Sequence, residues 1–215
     1  ADPFADLVFT EAVSMVALTI ALYSFDVDAL KRVVNKTLPT DSISISISFS
    51  EVLFSRLMLL LLAGLVLTSG VAVFFGAEMA TLLALWMMVP AGVCLQSAWM
   101  FQGLERNIPV AIGSLVGKFS SALCVVVFVS KPADVSYGPM FLGLGSLVAG
   151  IVPMAYLIST RHLRIRRVPL GRIIELLRGG KFIFLGNFSV MMYRDINVLV
   201  IGVLGLSPVA VSSYA

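Results

Sequence analysis

The sequence predicts an all-α, polytopic membrane protein, a bundle of transmembrane helices, and three observations carry that prediction. Hydrophobic residues make up 59% of 215 and mean hydropathy is +1.02, while charged residues are 13%. A soluble domain carries about twice that share of charge. Such a chain cannot cover its surface with polar groups, so lipid must form much of its solvent. The second observation is six apolar runs, at about 7–25, 52–75, 79–101, 108–130, 137–159 and 182–206. Each is near the roughly 20 residues that cross a hydrocarbon core of about 30 Å. They are continuous, whereas a barrel needs alternating segments of about ten residues, so helices that satisfy their own backbones are expected. Third, connections rich and poor in basic residues alternate strictly.

The elements follow in order. After the run 7–25, the connection 26–51 holds Lys31, Arg32 and Lys36. Its end, "DSISISISFS", alternates like a strand but is short and leads directly into the next run. It reads as a polar lead-in to a helix, with an in-plane surface segment as the alternative. The 76–78 turn has no Lys or Arg, 102–107 has Arg106, and 131–136 has only Lys131. Pro90 and Pro153 lie within runs, where proline either kinks a helix or is tolerated by packing. Gly143, Gly145 and Gly150 form a small-residue face suited to close helix contact. The connection 160–181 holds Arg161, Arg164, Arg166, Arg167, Arg172, Arg178 and Lys181. Within it "PLGRIIELLRGG" puts Leu170, Ile173, Ile174 and Leu177 on one stripe. It predicts a short amphipathic helix stopped by Gly179-Gly180 before the last run. The basic connections are cytoplasmic by the positive-inside rule. Residues 1–6 are then outside with no export signal, which, with the opening Ala1-Asp2-Pro3, predicts a further helix upstream.

Charges at depth are the candidate functional residues. Arg56, near the start of its run, can snorkel to the headgroups and is given no function. Lys118 is eleventh of 23 residues in its run and Arg194 thirteenth of 25. At mid-depth such a residue costs about 2.5–3.5 kcal/mol on insertion scales, so it faces a bundle interior or a wet cavity. Ser114, Gly117, Lys118 and Ser121 share one helical stripe, as do Asn187, Arg194 and Asn197. Asp195 is turned about 100° from Arg194 and need not pair with it. Either each cation pairs with a carboxylate or carbonyl elsewhere, or Lys118 and Arg194 line a cationic cavity, with Asp195 tuning it or carrying a proton. Glu11 falls within a turn or so of a run end, and Glu78, Glu105 and Asp134 fall in turns. The first five runs therefore show no deep carboxylate, which disfavours a cation pump. Cys94 and Cys124 sit in apolar runs and read as small hydrophobes. His162 reads as a solvated loop residue. No zinc spacing, phosphate loop or nucleophile elbow is present, and no catalytic residue or metal site is expected.

Several stretches resemble a known family. "WMFQGLERN" is similar to the Trp-x-Phe-Gln-Gly-Leu-Glu signature of the polysaccharide transporter family, the Wzx-type oligosaccharide-lipid flippases, through Trp99, Phe101, Gln102, Gly103 and Glu105. "LYSFDVDALKRVV" resembles the family's Tyr-Gly-Phe segment, with Ser24 in place of the glycine. "FSEVLFSRLMLLLL", "AIGSLVGKFSSALCVVVFV" and the segment from Gly179 to Ala215, with the turn at Val211–Tyr214, resemble later helices of the family in order. The family belongs to the multidrug/oligosaccharidyl-lipid/polysaccharide exporter superfamily. The resemblance implies two six-helix lobes around a central cavity. Residues 1–160 would be helices two to six of the first lobe, 161–181 the basic linker, and 182–215 the first helix of the second lobe.

The implied activity is non-enzymatic. It is flipping of undecaprenyl-diphosphate-linked oligosaccharides across the bacterial inner membrane for O-antigen, capsule or exopolysaccharide assembly. Alternating access with H+ or Na+ coupling and no other cofactor is expected, with the bilayer and polymerase machinery as partners and no nucleic acid. Two alternatives stand: a multidrug/cation antiporter of the same superfamily, and a membrane glycan polymerase or ligase. The short outside turns leave little room for the catalytic headpiece that the latter needs.

Overall fold

The computed structural model describes residues 3–34, 42–131, 134, 136–161 and 163–203, with side chains left undescribed at 3, 28, 32–34, 42–44, 161, 194–199 and 201–203. Among these residues there is no strand. Five of the expected runs are helical stretches long and apolar enough to cross a membrane: Phe4–Lys31, Ile45–Phe75, Ala77–Gly103, Ile108–Phe128 and Tyr137–Thr160. The sixth, 182–206, falls in a helix that is described as far as Val203.

The first stretch is α1 (Pro3–Leu22) and α2 (Phe25–Val34), broken where Tyr23 takes a left-handed conformation, φ 48°. The connection after the first run is therefore largely helical, and the serine lead-in opens α3 (Ser42–Phe75). The third run is three segments: α4 (Ala77–Trp86), α5 (Met88–Gln96) and α6 (Ala98–Gly103). The first break is at Met87, one residue after Trp86, whose carbonyl lies four before Pro90 and would clash with its ring. The second is at Ser97, which is buried and left-handed at φ 48°. By contrast α8 (Tyr137–Arg161) runs unbroken through Pro153. It follows α7 (Ile108–Phe128), and the last described helix is α9 (Leu170–Val203).

Helices in lipid gain little from apolar burial, because the tails are as apolar as leucine; close packing at small residues holds them instead. The glycines of α8 have that role, but on two sides of the helix rather than the one face expected, because residues 143 and 145 are turned about 200° apart. A Cβ on Gly145 would fall onto the Gly117 carbonyl of α7, and a Cβ on Gly150 onto the Gly92 carbonyl of α5. A Cβ on Gly143 would come within 2.6 Å of Met88 Cβ. So α8 is clamped between α7 and α5. A second centre gathers Phe25, Phe49, Trp99, Met100, Phe101, Leu157 and Leu163, all buried, where α2, α3, α6 and α8 meet the connection.

Two expectations are corrected. The pair Gly179-Gly180 does not stop the amphipathic helix, which continues through it into the last run. Glycine inside a helix costs only about 1 kcal/mol relative to alanine, and here Gly180 is buried against the α1–α2 break, where a Cβ would collide with the Ser24 hydroxyl. Tyr23 fastens the same joint: its hydroxyl donates to the Leu177 carbonyl at 2.8 Å and its ring stacks on Phe184 at 4.5 Å. Nor does Arg56 snorkel. It is 2% exposed and ion-paired with Asp26, whose side chain is 51% exposed. The turn at Tyr23–Ser24 swings Asp26 over α3, so a partner is nearer than the headgroups.

The connection between α8 and α9 is extended and pinned to the serine lead-in. The Arg164 amide donates to Ser46 Oγ at 3.4 Å and the Arg166 amide to Ser50 Oγ at 2.9 Å. One helical turn rises about 6 Å over four residues, close to two residues of extended chain, so serines at i and i+4 match alternate amides.

Gly180→Ala should lower the thermal midpoint of the purified protein by an amount equivalent to about 1–3 kcal/mol of overpacking, and Ser24→Gly in the same chain should restore it. No recovery in the double variant would contradict the assigned contact. Removing one partner of a buried pair strands the other's charge, at a cost up to about 3–5 kcal/mol. Asp26→Ala, which strands buried Arg56, should therefore lower the midpoint more than Arg56→Met, which leaves only half-exposed Asp26.

Candidate functional site

The glycine clamp orients the polar groups of the bundle. Gly113, Gly117 and Ser121 are buried on the face of α7 that meets α8. The next residues in the chain, Ser114 and Lys118, are turned about 100° from that seam. They open onto a cavity of about 380 Å3 shared by α1, α4, α5, α7 and α8. Glu11 lines it from α1, Trp86 from α4, Gln96 from α5 and Ser146 from α8, and Ser121 reaches its wall.

Part of this lining is satisfied internally. Gln96 Nε2 donates to Ser114 Oγ at 2.6 Å, Ser146 Oγ to the Val89 carbonyl at 2.9 Å, and Ser121 Oγ to the Lys118 carbonyl at 2.9 Å. Three groups are left over. The indole N–H of Trp86, a buried residue, has no hydrogen-bond partner, which is costly for a donor out of water. Glu11 is half-buried and Lys118 exposed, and neither has an ion pair among the described residues. The cavity thus offers a cation for an anionic group, beside a carboxylate that could carry a proton or meet a cation.

Glu11 corrects the sequence reading. It is the eighth residue of the apolar stretch that begins at Phe4 and lines the cavity beside Lys118, a placement the sequence did not assign to it. The shared stripe on α7 also divides: Gly117 and Ser121 belong mainly to the seam, Ser114 and Lys118 to the cavity. Asn187 is exposed on α9. The side chains of Arg194, Asp195 and Asn197 lie outside the described residues, as do His162 and the turn at Val211–Tyr214. Sequence reasoning missed Trp86 and Gln96; a Trp four residues before Pro90 and a Gln six after it, in an apolar run, were the available signal.

The signature segment is structural here. Trp99 and Phe101 are each 1% exposed in the core and Gly103 is buried, while Gln102 and Glu105 are exposed. The Arg106 amide donates to the Phe101 carbonyl at 2.9 Å and the Glu105 amide to the Gln102 carbonyl at 3.1 Å, with Glu105 at φ 54°. That is a Schellman turn whose left-handed position, usually glycine, is filled by glutamate.

Comparison with known proteins agrees with the architecture. The sequence profile of a family described as "Polysaccharide biosynthesis protein" matches residues 3–215. Two curated relatives carry the name "Putative O-antigen transporter". That from Escherichia coli (strain K12) is 22% identical over 208 residues, 96% of this chain and 49% of the relative. That from Shigella dysenteriae is 22% identical over 203 residues, 93% of this chain and 50% of the relative. The chain spans about half the length of the curated relatives it matches. No solved structure matches it.

A non-glycine residue in the left-handed region is strained by roughly 1–2 kcal/mol, and a β-branched one by more. Glu105→Gly should therefore hold or raise the thermal midpoint and Glu105→Val should lower it. Equal midpoints for the two variants would show that the turn does not constrain this position.

Proposed function

The chain belongs to the polysaccharide biosynthesis protein family, and from that premise we propose that it is part of a flippase for lipid-linked oligosaccharides. The cargo in this reading is an undecaprenyl-diphosphate-linked repeat unit, moved from the cytoplasmic to the outer leaflet of the inner membrane for O-antigen, capsule or exopolysaccharide assembly. The observation that carries it is Lys118, mid-membrane, without an ion pair and opening onto a largely apolar cavity that also holds Gln96, Ser114 and Ser146. A cation held there without a counter-ion is stabilised when an anionic group enters, and low local dielectric strengthens that attraction. Arg194, near the middle of the last run, is the proposed second cation, contributed by the second lobe. A site between two lobes near the midplane suits alternating access, in which the lobes rock about it. The proposed coupling ion, H+ or Na+, has Glu11 as its carboxylate in the cavity, and Asp195 is a second candidate on the last helix. Polymerase machinery is the proposed downstream partner.

Glu11 also gives one specific observation to the other transport reading, a multidrug/cation antiporter, which requires a deep carboxylate. The two readings differ in what Lys118 does: it attracts a diphosphate but repels an organic cation.

Lys118→Gln and Arg194→Gln should each abolish complementation of a flippase-null strain while membrane insertion is intact. Losing one charge-assisted contact of about 1.5–3 kcal/mol corresponds to a fall of roughly ten- to a hundredfold. Unchanged polymer export in both variants would sink the flippase reading, and drug resistance on overexpression would favour the antiporter.

A further inference from the structure

The pinned connection builds a second pocket, far along the chain from the cavity residues and at the level where α3 begins. It holds about 380 Å3 and is lined by Arg166, Arg167, Arg172 and Glu51, with Ile47 and Val168 as apolar walls. Glu51 is buried and engages Arg172, whose Nε donates to it at 3.1 Å; Arg172 Nη1 donates to Glu175 at 2.7 Å. Those bonds, Glu51's first, hold the Arg172 guanidinium protonated above its ordinary range. Arg166 and Arg167 are exposed, and their guanidinium groups have no partner among the described residues. The lining therefore keeps an excess of positive charge after Glu51 and Glu175 have been satisfied by one arginine. Its backbone is held as well, since the Arg166 amide is bonded to Ser50, which itself donates to the Ser46 carbonyl at 2.8 Å.

We propose that this pocket binds a lipid-borne phosphate group at the cytoplasmic membrane surface. The arginine-rich connection faces that surface by the positive-inside rule. Two free guanidinium forks match the oxygens of a phosphate in planar, paired hydrogen bonds. Ile47 and Val168 give the first apolar segment of a lipid a wall to lie on, which a free phosphate ion would leave wet. A bilayer phosphatidylglycerol and a polyprenyl diphosphate share this chemistry. The site stands independently of the transport reading, because it is read out by lipid retention and needs no turnover.

The test uses the full-length protein in phosphatidylcholine nanodiscs doped with phosphatidylglycerol, or separately with undecaprenyl diphosphate, and measures retained lipid by native mass spectrometry. Arg166→Gln with Arg167→Gln should reduce retention about tenfold or more, as expected for losing two basic residues at an anionic surface. Arg166→Lys with Arg167→Lys should keep part of it. A loss confined to phosphatidylglycerol identifies a bilayer lipid as the ligand, and one confined to undecaprenyl diphosphate identifies a polyprenyl carrier. The charge-matched control Arg178→Gln with Lys181→Gln should leave both unchanged. Equal retention of both lipids by wild type and the glutamine pair overturns the proposal. So does a control that loses as much lipid as the pocket variant, because the effect would then be surface charge in general.

Discussion

Close backbone approach between α8 and its two neighbours is the contact on which the rest of the bundle depends. Apolar burial cannot assemble helices whose solvent is itself apolar, so adhesion must come from surfaces that fit without side chains between them. Gly117 against Gly145 and Gly92 against Gly150 supply that fit, and no other residue type could occupy those positions without displacing a carbonyl. The same seam sets the rotation of α7. Because Gly117 is committed to α8, its neighbour Lys118 is carried round the helix into the cavity. The position of this mid-helix cation thus follows from a packing requirement one residue away.

Most polar groups follow a second rule, finding a partner or a wet space, with the Trp86 N–H an exception. Arg56 finds Asp26, brought over by the left-handed turn at Tyr23. The serines of the lead-in find the amides of the connection, converting an apparent strand pattern into a helical face that grips an extended segment. Through that grip and the Tyr23 hydroxyl bond to Leu177, the beginning of α9 is fastened to the first five membrane stretches. At this joint Gly180 and Ser24 interlock.

The candidate site was half legible. Lys118 and Ser114 stood out because charge and polarity at mid-run violate the solvent they sit in, and such violations can be seen by counting along one helix. Glu11 gave no signal as a cavity residue, because which helices flank α1 is not written in its own run. Trp86 gave no signal, since an indole in a greasy run reads as core; its orphaned N–H is defined only by what neighbouring helices fail to offer. The glycine pair at 179–180 misled because glycine marks both helix ends and close contacts, and local sequence does not distinguish them.

Composition and run length alone determined the all-α membrane class and the five described membrane stretches, because a hydrocarbon solvent allows few ways to satisfy a backbone. That α8 would use its glycines for close contact was equally readable, since small residues in an apolar run show in the sequence. Only the tertiary structure decided that those glycines would divide between two sides of the helix, where Arg56 would find a counter-ion, and that Glu11 would share a cavity with Lys118. Those outcomes depend on angles between helices, which are set by contacts between residues far apart in the chain.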